Sequence, residues 1–577
     1  MEDANGDHGF LAKIVTRKHK TVECFFSRDE TAAEKDTTKI LLLKGLKIPH
    51  IKPANCYALN FYLNNFKPEF QAIGVDMVGW QGDNTNYMLP FVGDPRNHYT
   101  AIQQKEQSLE YILQQKGATV RTLQKKGTLE EWKRTVGEVC RGNHLHTFAI
   151  IVSLTPPALK VLCEEGGFVH YVGGTSVGKS TLLELSKSVW GHKELDSFRT
   201  TDNALESLCK NSNDGILFLD EIGEIDADAL FKAIYMVANG VTKSRSDRSG
   251  NAKATTHFTV IAQSTGEIGL EAKLAEKRIQ AKGGLLMRMA EIDVDRGKGL
   301  NTFDILKLSP DTGNIFEDGK TQAEYLKTHA QENCGVVIDN FLKAVVPNVE
   351  NYKKMLKEAK IKWLERNLLG GEGVEMARMA KRFSTVFASG FVAVKFGIIP
   401  HSLEEIEECV DSMFKNWLER FGGDNPHEYR MMVADLRKLC IENQYLIFQN
   451  DHPTEDERAN LPRDKAGYWK MEKDDNGNWF LSEYWLDTAV FDREVIKGRD
   501  KKTFLPLLVK GGYVEKGKDG RDTQMRRPKN EGSQRFIVVP ISAFANEVKT
   551  SQSSVEEAKK NGIIEDGEFY PVNDCAE

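Results

Sequence analysis

Residues 173–180 read Gly-Gly-Thr-Ser-Val-Gly-Lys-Ser and fit G-x-x-x-x-G-K-[ST], a run that restricts the fold around it more than any other stretch of the chain. The glycines allow successive backbone N–H groups to turn toward phosphate oxygens, Lys179 adds a mobile ammonium, and the Ser180 hydroxyl can hold Mg²⁺. Such a loop needs a strand before it and a helix after it, because the helix N-terminus supplies further N–H groups and a favourable dipole. Phe168–Val172 is a short apolar run of strand formers, and Thr181–Trp190 reads as a helix stopped by Gly191. The expected nucleotide cradle is Gly173, Gly174, Thr175, Ser176, Val177, Gly178, Lys179, Ser180 and Thr181.

The second half of such a site is an apolar strand ending in acid, and Ile216–Leu219 followed by Asp220 and Glu221 supplies it. Asp220 would hold Mg²⁺ through water, and Glu221 would polarise the water that attacks the γ-phosphate. Together with the loop, this pair points to ATP hydrolysis and not to binding alone. Asp226 then caps a helix with Leu230, Ala233, Ile234 and Val237 on one face. The segment from Gly240 to His257 follows, carrying Lys243, Arg245, Arg248 and Lys253 among Ser, Thr, Asn and Gly, and reads as a basic hairpin or a solvated loop. Phe258–Ala262 is the next buried strand and ends in Gln263-Ser264-Thr265-Gly266-Glu267, so Ser264 or Thr265 is placed to sense the γ-phosphate. Arg288 interrupts the apolar stretch Leu285–Ile292, and a guanidinium there needs an internal carboxylate or a neighbouring subunit's phosphate.

Composition narrows the partners. The chain has 577 residues and a net charge of −6, so contact with nucleic acid must come from local basic patches and not from the whole surface. Nine scattered cysteines without a C-x-x-C pair read as reduced thiols of a cytoplasmic protein, and the polar, acidic start and the absence of any long apolar run argue against export or a membrane partner. His144 and His146 lack further ligand residues nearby and read as structural. Trp80 is expected in the core, Ile40–Leu43 and Met77–Trp80 look strand-like, and Thr128 with Glu131 forms a capping box ahead of Trp132, Val136, Val139 and Cys140.

The order of loop, acidic strand, basic hairpin, polar strand end and Leu-Leu-x-Arg resembles the AAA+ ATPases, and more closely the MCM-like helicases. The runs Gly127–Trp132, Gly173–Gly191, Arg199–Glu206, Asp220–Ile222 and Ser264–Glu267 are similar to the family described as domain of unknown function 927, found in phages, plasmids and integrated mobile elements. That resemblance implies an α/β fold with an AAA+ P-loop NTPase core on a parallel sheet, Ser264 or Thr265 as sensor 1, and Arg288 as a finger reaching the adjacent protomer's ATP. It implies a pore hairpin at Lys243, Arg245, Arg248 and Lys253, and names Arg378 and Arg382 on the helix Val374–Phe387 as candidates for sensor 2. A finger supplied in trans implies a homo-oligomeric ring, as a rule a hexamer in this class.

Further along, Lys501–Lys510 reads as a helix despite Pro506, followed by a Gly511-Gly512 turn and two strands, Tyr513–Lys518 and Arg535–Val539, the order of a winged helix. From Asp492 to Arg535 there are 13 Lys and Arg against 7 Asp and Glu, an excess of 13 − 7 = +6, with Lys518, Arg521, Arg526, Arg527 and Lys529 as the expected DNA-contacting wing. The expected domains are an α+β N-terminal domain (1–120), the ATPase core (121–300), a helical lid (301–400), a helical or linker region (401–485), the winged helix (486–545) and an acidic tail (546–577). The sequence thus points to an ATP- and Mg²⁺-dependent helicase or translocase on single-stranded or forked DNA, replicative in a mobile element and served by a replication or loading partner. Two alternatives stay open: a remodeller or defence ATPase acting on protein, and an origin-binding initiator.

Overall fold

The apolar runs on either side of the glycine-rich loop pair with one another as a single parallel sheet. Its strands are β1 (Gly167–Val172), β2 (Asp196–Ser197), β3 (Gly215–Asp220), β4 (Val260–Gly266) and β5 (Met289–Asp293), in the order β5-β1-β4-β3-β2. Every neighbouring pair is parallel. All residues of β1 and β4 are buried, as continuous apolar runs in a sheet covered on both faces require. The computed structural model describes residues 9–15, 21–27, 41–42, 53–65, 72–94, 96–101, 110–113, 122–199, 201–243, 245–246, 252–253, 255–368, 374–421, 427–442, 448–450, 465–473, 479–528 and 532–544. They fall into two units, residues 1–424 and 425–577.

In the first unit, α1 (His144–Leu154) and α2 (Lys179–Trp190) pack together against the sheet. Between them Gln263 of β4 satisfies its whole amide. Its Oε1 accepts from Tyr171 Oη (3.1 Å) and Ser186 Oγ (2.8 Å), and its Nε2 donates to Ala149 O (3.1 Å) and Ser153 Oγ (2.9 Å). Gln263, read from sequence as part of a ligand-facing polar end, is therefore a core residue. α3 (Ala227–Asn239) is capped by Asp226 and buries Leu230, Ala233, Ile234 and Val237, as its spacing predicts. Three long helices complete the unit: α4 (Val349–Asn367), α5 (Val374–Lys395) and α6 (Leu403–Phe421). α6 closes the β5 edge, where Asn416 exchanges two hydrogen bonds with the Asp293 backbone and Arg420 pairs with Glu291 and Asp293.

Ahead of the sheet, Thr128 accepts a hydrogen bond from Glu131 N, while the Glu131 carboxylate binds Arg134, so half of the capping box forms. Trp132, Val136, Val139 and Cys140 are all buried, through a π-helical turn at Lys133–Gly137. His146 stacks on Phe303 at 4.1 Å, and burial lowers its pKa to about 3. The strands Gly79–Gln81, Asn86–Met88 and His98–Thr100 form a small antiparallel sheet. Trp80 anchors it: its Nε1 donates to Pro157 O and its backbone N to Asp214 Oδ2, both at 2.9 Å. Leu41 and Leu42 are helical, against the expectation of a strand. No single helix among the described residues is long and apolar enough to cross a membrane, and the described cysteines are free thiols.

The second unit is a sheet of β6 (Phe448–Asn450), β7 (Gly467–Lys473), β8 (Trp479–Asp487), β9 (Gln524–Arg526) and β10 (Gln534–Pro540), in the order β6-β7-β8-β10-β9. α7 (His427–Arg437) and α8 (Lys501–Lys510) pack on one face through Met432, Leu436 and Leu508 against Tyr484, Ile537 and Val539. Two expectations need correction. Tyr513–Lys518 is no strand, since only Glu515 bridges to Val538, and β9 takes the place beside β10. The region 401–485 is not only helix and linker, because β7 and β8 build the centre of this sheet. Lys529 and the tail 546–577 lie outside the described residues.

Asp214 sits on the turn before β3, and burial pushes its carboxyl up to about 7 against the hydrogen bonds from Trp80 N and Asn213. The folded chain then holds a proton that the unfolded chain releases near pH 4, so stability falls as pH rises from about 4 to 7, by at most about 4 kcal/mol. Thermal melts from pH 5 to 7 should show that fall in the wild type and a much flatter profile in Asp214→Asn.

Candidate active site

The loop after β1 emerges at the carboxyl ends of the strands, where β1 lies between β4 and β5 and the chain order of the sheet reverses. Open α/β sheets hold ligands at this kind of crevice. Gly178 has φ +102° and Ser176 φ +61°, which turn the loop back on itself before α2 begins at Lys179. No side chain caps that helix, so its first N–H groups face the loop without a partner from a capping residue. Lys179 is 9% exposed, and its Nζ donates to Gly173 O (2.8 Å) and Gly174 O (2.6 Å). Among the described residues no carboxylate pairs with it. A buried ammonium with only carbonyl partners, beside an uncapped helix N-terminus, fits a phosphate. Ser180 is exposed on the first turn of α2.

Across the crevice, β3 ends at Asp220. Its Oδ1 accepts a short hydrogen bond from the Thr265 hydroxyl, and the same oxygen of Thr265 accepts from Glu221 N at 3.2 Å. Glu221 has φ +55°, and its carboxylate accepts from Gly223 N at 3.1 Å. A non-glycine residue in this region is strained, and the bond to Gly223 holds the carboxylate in place. Thr265 therefore ties both acidic residues to the end of β4. Ser264 does not join them. It points to the opposite face of β4, buried, where its Oγ lies 2.9 Å from His170 Nδ1. Burial lowers the His170 pKa, and the neutral ring with its proton on Nε2 serves both Ser264 and Ile268 O, 3.3 Å away. Thr175 on the loop donates to Glu267 at 2.9 Å, a tie between loop and β4 that sequence reading missed.

Arg288 lies at the other end of the sheet. It sits between the helical turn Gly283–Leu286 and β5, and its carbonyl accepts from Phe168 N at the start of β1 (2.9 Å). β1 spans Gly167–Val172, roughly 20 Å at about 3.3 Å per residue, so Arg288 is one strand length from its own loop. Arg378 and Arg382 of α5 lie at that same end. With Arg288 they line a cavity of about 400 Å³ whose floor includes Phe148, Leu159 and Phe168. The Arg382 guanidinium packs against the Gly167 backbone, in the space that a Cβ would occupy. Burial lowers the Arg382 pKa to about 10. Glu165 opposes that shift, while Arg288 and Arg378 add to it. Three guanidinia around one apolar cavity favour an anion between them.

Of the expected nucleic-acid residues, Lys243 ion-pairs with Asp202 at 2.6 Å. The backbone of the hairpin is present, with Arg245 directly opposite Lys253, while Arg248 lies outside the described residues. Arg521 and Arg527 are exposed in the second unit. Arg526 is turned back onto the sheet, 3.4 Å from Glu483 and over the Trp485 ring at 5.7 Å.

Thr265→Val should remove the bridge between the acidic residues and lower nucleotide hydrolysis at least tenfold with little change in melting temperature. Ser264→Ala should leave the rate within about twofold and cost about 1 kcal/mol of stability from the lost buried hydrogen bond. Steady-state hydrolysis and thermal melts on the two variants separate these outcomes.

Residues 2–257 match the family model described as domain of unknown function DUF927. No curated protein matches the chain. Among solved structures, the SCCmec type IV Cch active helicase is similar with a TM-score of 0.63 and 16% identity, over 93% of this chain and 90% of that one. The stretch that is similar to DUF927 includes the glycine-rich loop and the acidic pair, and over nearly its whole length the chain shares the fold of the Cch helicase.

Proposed function

We propose that the chain is an ATP-dependent DNA helicase or translocase of a phage, plasmid or integrated mobile element, working as a homo-oligomeric ring with ATP between protomers. The observation that carries this reading is the separation of charges along the sheet. Lys179, Asp220 and Glu221 gather at the carboxyl end, and Arg288, Arg378 and Arg382 gather at the amino end, about a strand length away. The arginines fall too far from the loop to serve the same ATP, and a second protomer stacked head to tail brings the two sets together.

In this reading the loop N–H groups and Lys179 hold the phosphates. Mg²⁺, held by Ser180 and through water by Asp220, would neutralise the β- and γ-oxygens. Glu221 orients the attacking water, and Thr265, hydrogen-bonded to Asp220 and to Glu221 N, is the γ-phosphate sensor in preference to Ser264. Arg288 stabilises charge on the neighbour's transferring phosphoryl group, with Arg378 and Arg382 beside it as sensor 2 in trans. The helices from Gly319 to Lys395 form the lid, and α8 with β9 and β10 forms the winged helix. A DNA cargo is supported by the run of basic residues on this hairpin, Lys243, Arg245, Arg248 and Lys253, whose backbone pairing brings Arg245 and Lys253 into register.

Glu221→Gln should bind ATP with a Kd near that of the wild type and lose at least a hundredfold in hydrolysis. Arg288→Ala should also bind ATP and lose most turnover, and full activity in that variant would remove the finger assignment. Replacing Lys243, Arg245 and Arg248 together by Ala should abolish the stimulation of hydrolysis by single-stranded DNA and the unwinding of a forked duplex. Hydrolysis indifferent to DNA in the wild type would favour a protein remodeller, and activity confined to one duplex sequence an origin-binding initiator.

A further inference from the structure

Arg288 is held by its own protomer. Its Nη1 donates to Gly284 O at 2.5 Å, its Nη2 donates to Asn239 Oδ1 at 3.3 Å, and its guanidinium lies over the Tyr235 ring, 4.7 Å from the centroid. Tyr235 and Asn239 are one helical turn apart on α3, so they present one continuous face to the arginine. Two donor groups and one face of the cation are therefore engaged within the protomer, and Nε is buried with no hydrogen-bond partner.

Asn239 is the last residue of α3, and the basic hairpin begins directly after it. Gly240 ends the helix with φ +64°, and its carbonyl accepts from Phe258 N at 2.8 Å. From there a ladder runs outward: Val241 bridges to His257, Thr242 N donates to Thr256 O at 3.0 Å, and Arg245–Ser246 pairs with Ala252–Lys253. Near its base the hairpin is tied down by Lys243 on Asp202. A DNA phosphate would compete with Asp202 for that ammonium, and the pairing of Val241 and Thr242 with His257 and Thr256, next to Gly240, would carry a shift of the hairpin base to the last turn of α3, which holds Asn239.

We propose that Tyr235 and Asn239 form a latch that holds Arg288 against α3, and that loading the hairpin with single-stranded DNA opens the latch and releases Arg288 toward the neighbour's ATP. They are positioning residues, acting on the nucleotide only through Arg288. This inference rests on the reading of Arg288 as a finger in trans and of the hairpin as the DNA contact, and it adds how the two communicate.

The test is steady-state ATP hydrolysis by the full chain, with and without saturating oligo(dT), on the wild type, Arg288→Ala, Asn239→Ala, Tyr235→Leu and Tyr235→Phe. With the latch removed, Asn239→Ala and Tyr235→Leu should hydrolyse ATP at least threefold faster than wild type without DNA. The ratio of DNA-stimulated to DNA-free rate should fall by the same factor, with KM for ATP within twofold. Tyr235→Phe keeps the ring face and should behave as wild type. A wild-type ratio in both latch variants overturns the proposal, as does an equal loss of rate with and without DNA, which would mark a merely structural role. If Arg288→Ala stays active, or the wild type ignores oligo(dT), the underlying reading has failed and the latch with it. The wild-type and Arg288→Ala arms thus distinguish the two failures.

Discussion

The polarity of a parallel sheet is the constraint on which the rest of this structure depends. Because all five strands run the same way, every strand-to-helix turn emerges at one end and every helix-to-strand turn at the other. The glycine-rich loop, Asp220, Glu221 and Thr265 are all strand-ending features and must collect at the carboxyl end. Arg288 precedes β5 and must lie at the amino end, where it meets Arg378 and Arg382 from α5. No rotamer choice brings these two sets together within one chain.

The sheet also needs a rigid base, and buried polar groups supply it. Gln263 ties α1, α2, β1 and β4 together through four hydrogen bonds, and His170 with Ser264 joins β1 to β4 on the other face. A fully satisfied buried amide specifies one arrangement of the elements around it, because any shift leaves donors or acceptors unpaired. The helix that presents Lys179 and the strand that presents Thr265 are fixed by this shared network. The last turn of α3 is held differently, through an exposed asparagine and a half-buried tyrosine, and that contrast fits a moving part beside a fixed one.

Much of the core was legible in the sequence because local rules acted alone there. Gly191 ends α2 and Asp226 starts α3 as capping chemistry predicts, and the apolar runs at 168–172 and 216–219 lie in the buried strands expected of them. What stayed hidden depended on which face a residue takes. Ser264 and Thr265 are chemically alike and adjacent, so only strand alternation within the folded sheet separates the residue that touches Asp220 from the one that touches His170. Tyr235 and Asn239 meet Arg288 across a separation of about fifty residues, and nothing in their own segment marks them. In the second unit the basic wing was read from charge, but the Glu483 and Trp485 that draw Arg526 back belong to β8, which local composition had assigned to a linker.

If each ATP site is built from two protomers, two inactive variants mixed together should complement one another. Glu221→Gln keeps an intact arginine end and Arg288→Ala keeps an intact loop end. Mixed at equal concentration, random pairing forms a wild-type junction in about a quarter of neighbouring contacts. With shared sites, the mixture recovers ATP hydrolysis toward about a quarter of the wild-type rate. A mixture that stays as inactive as its components, at concentrations where the wild type is active, would contradict a shared site.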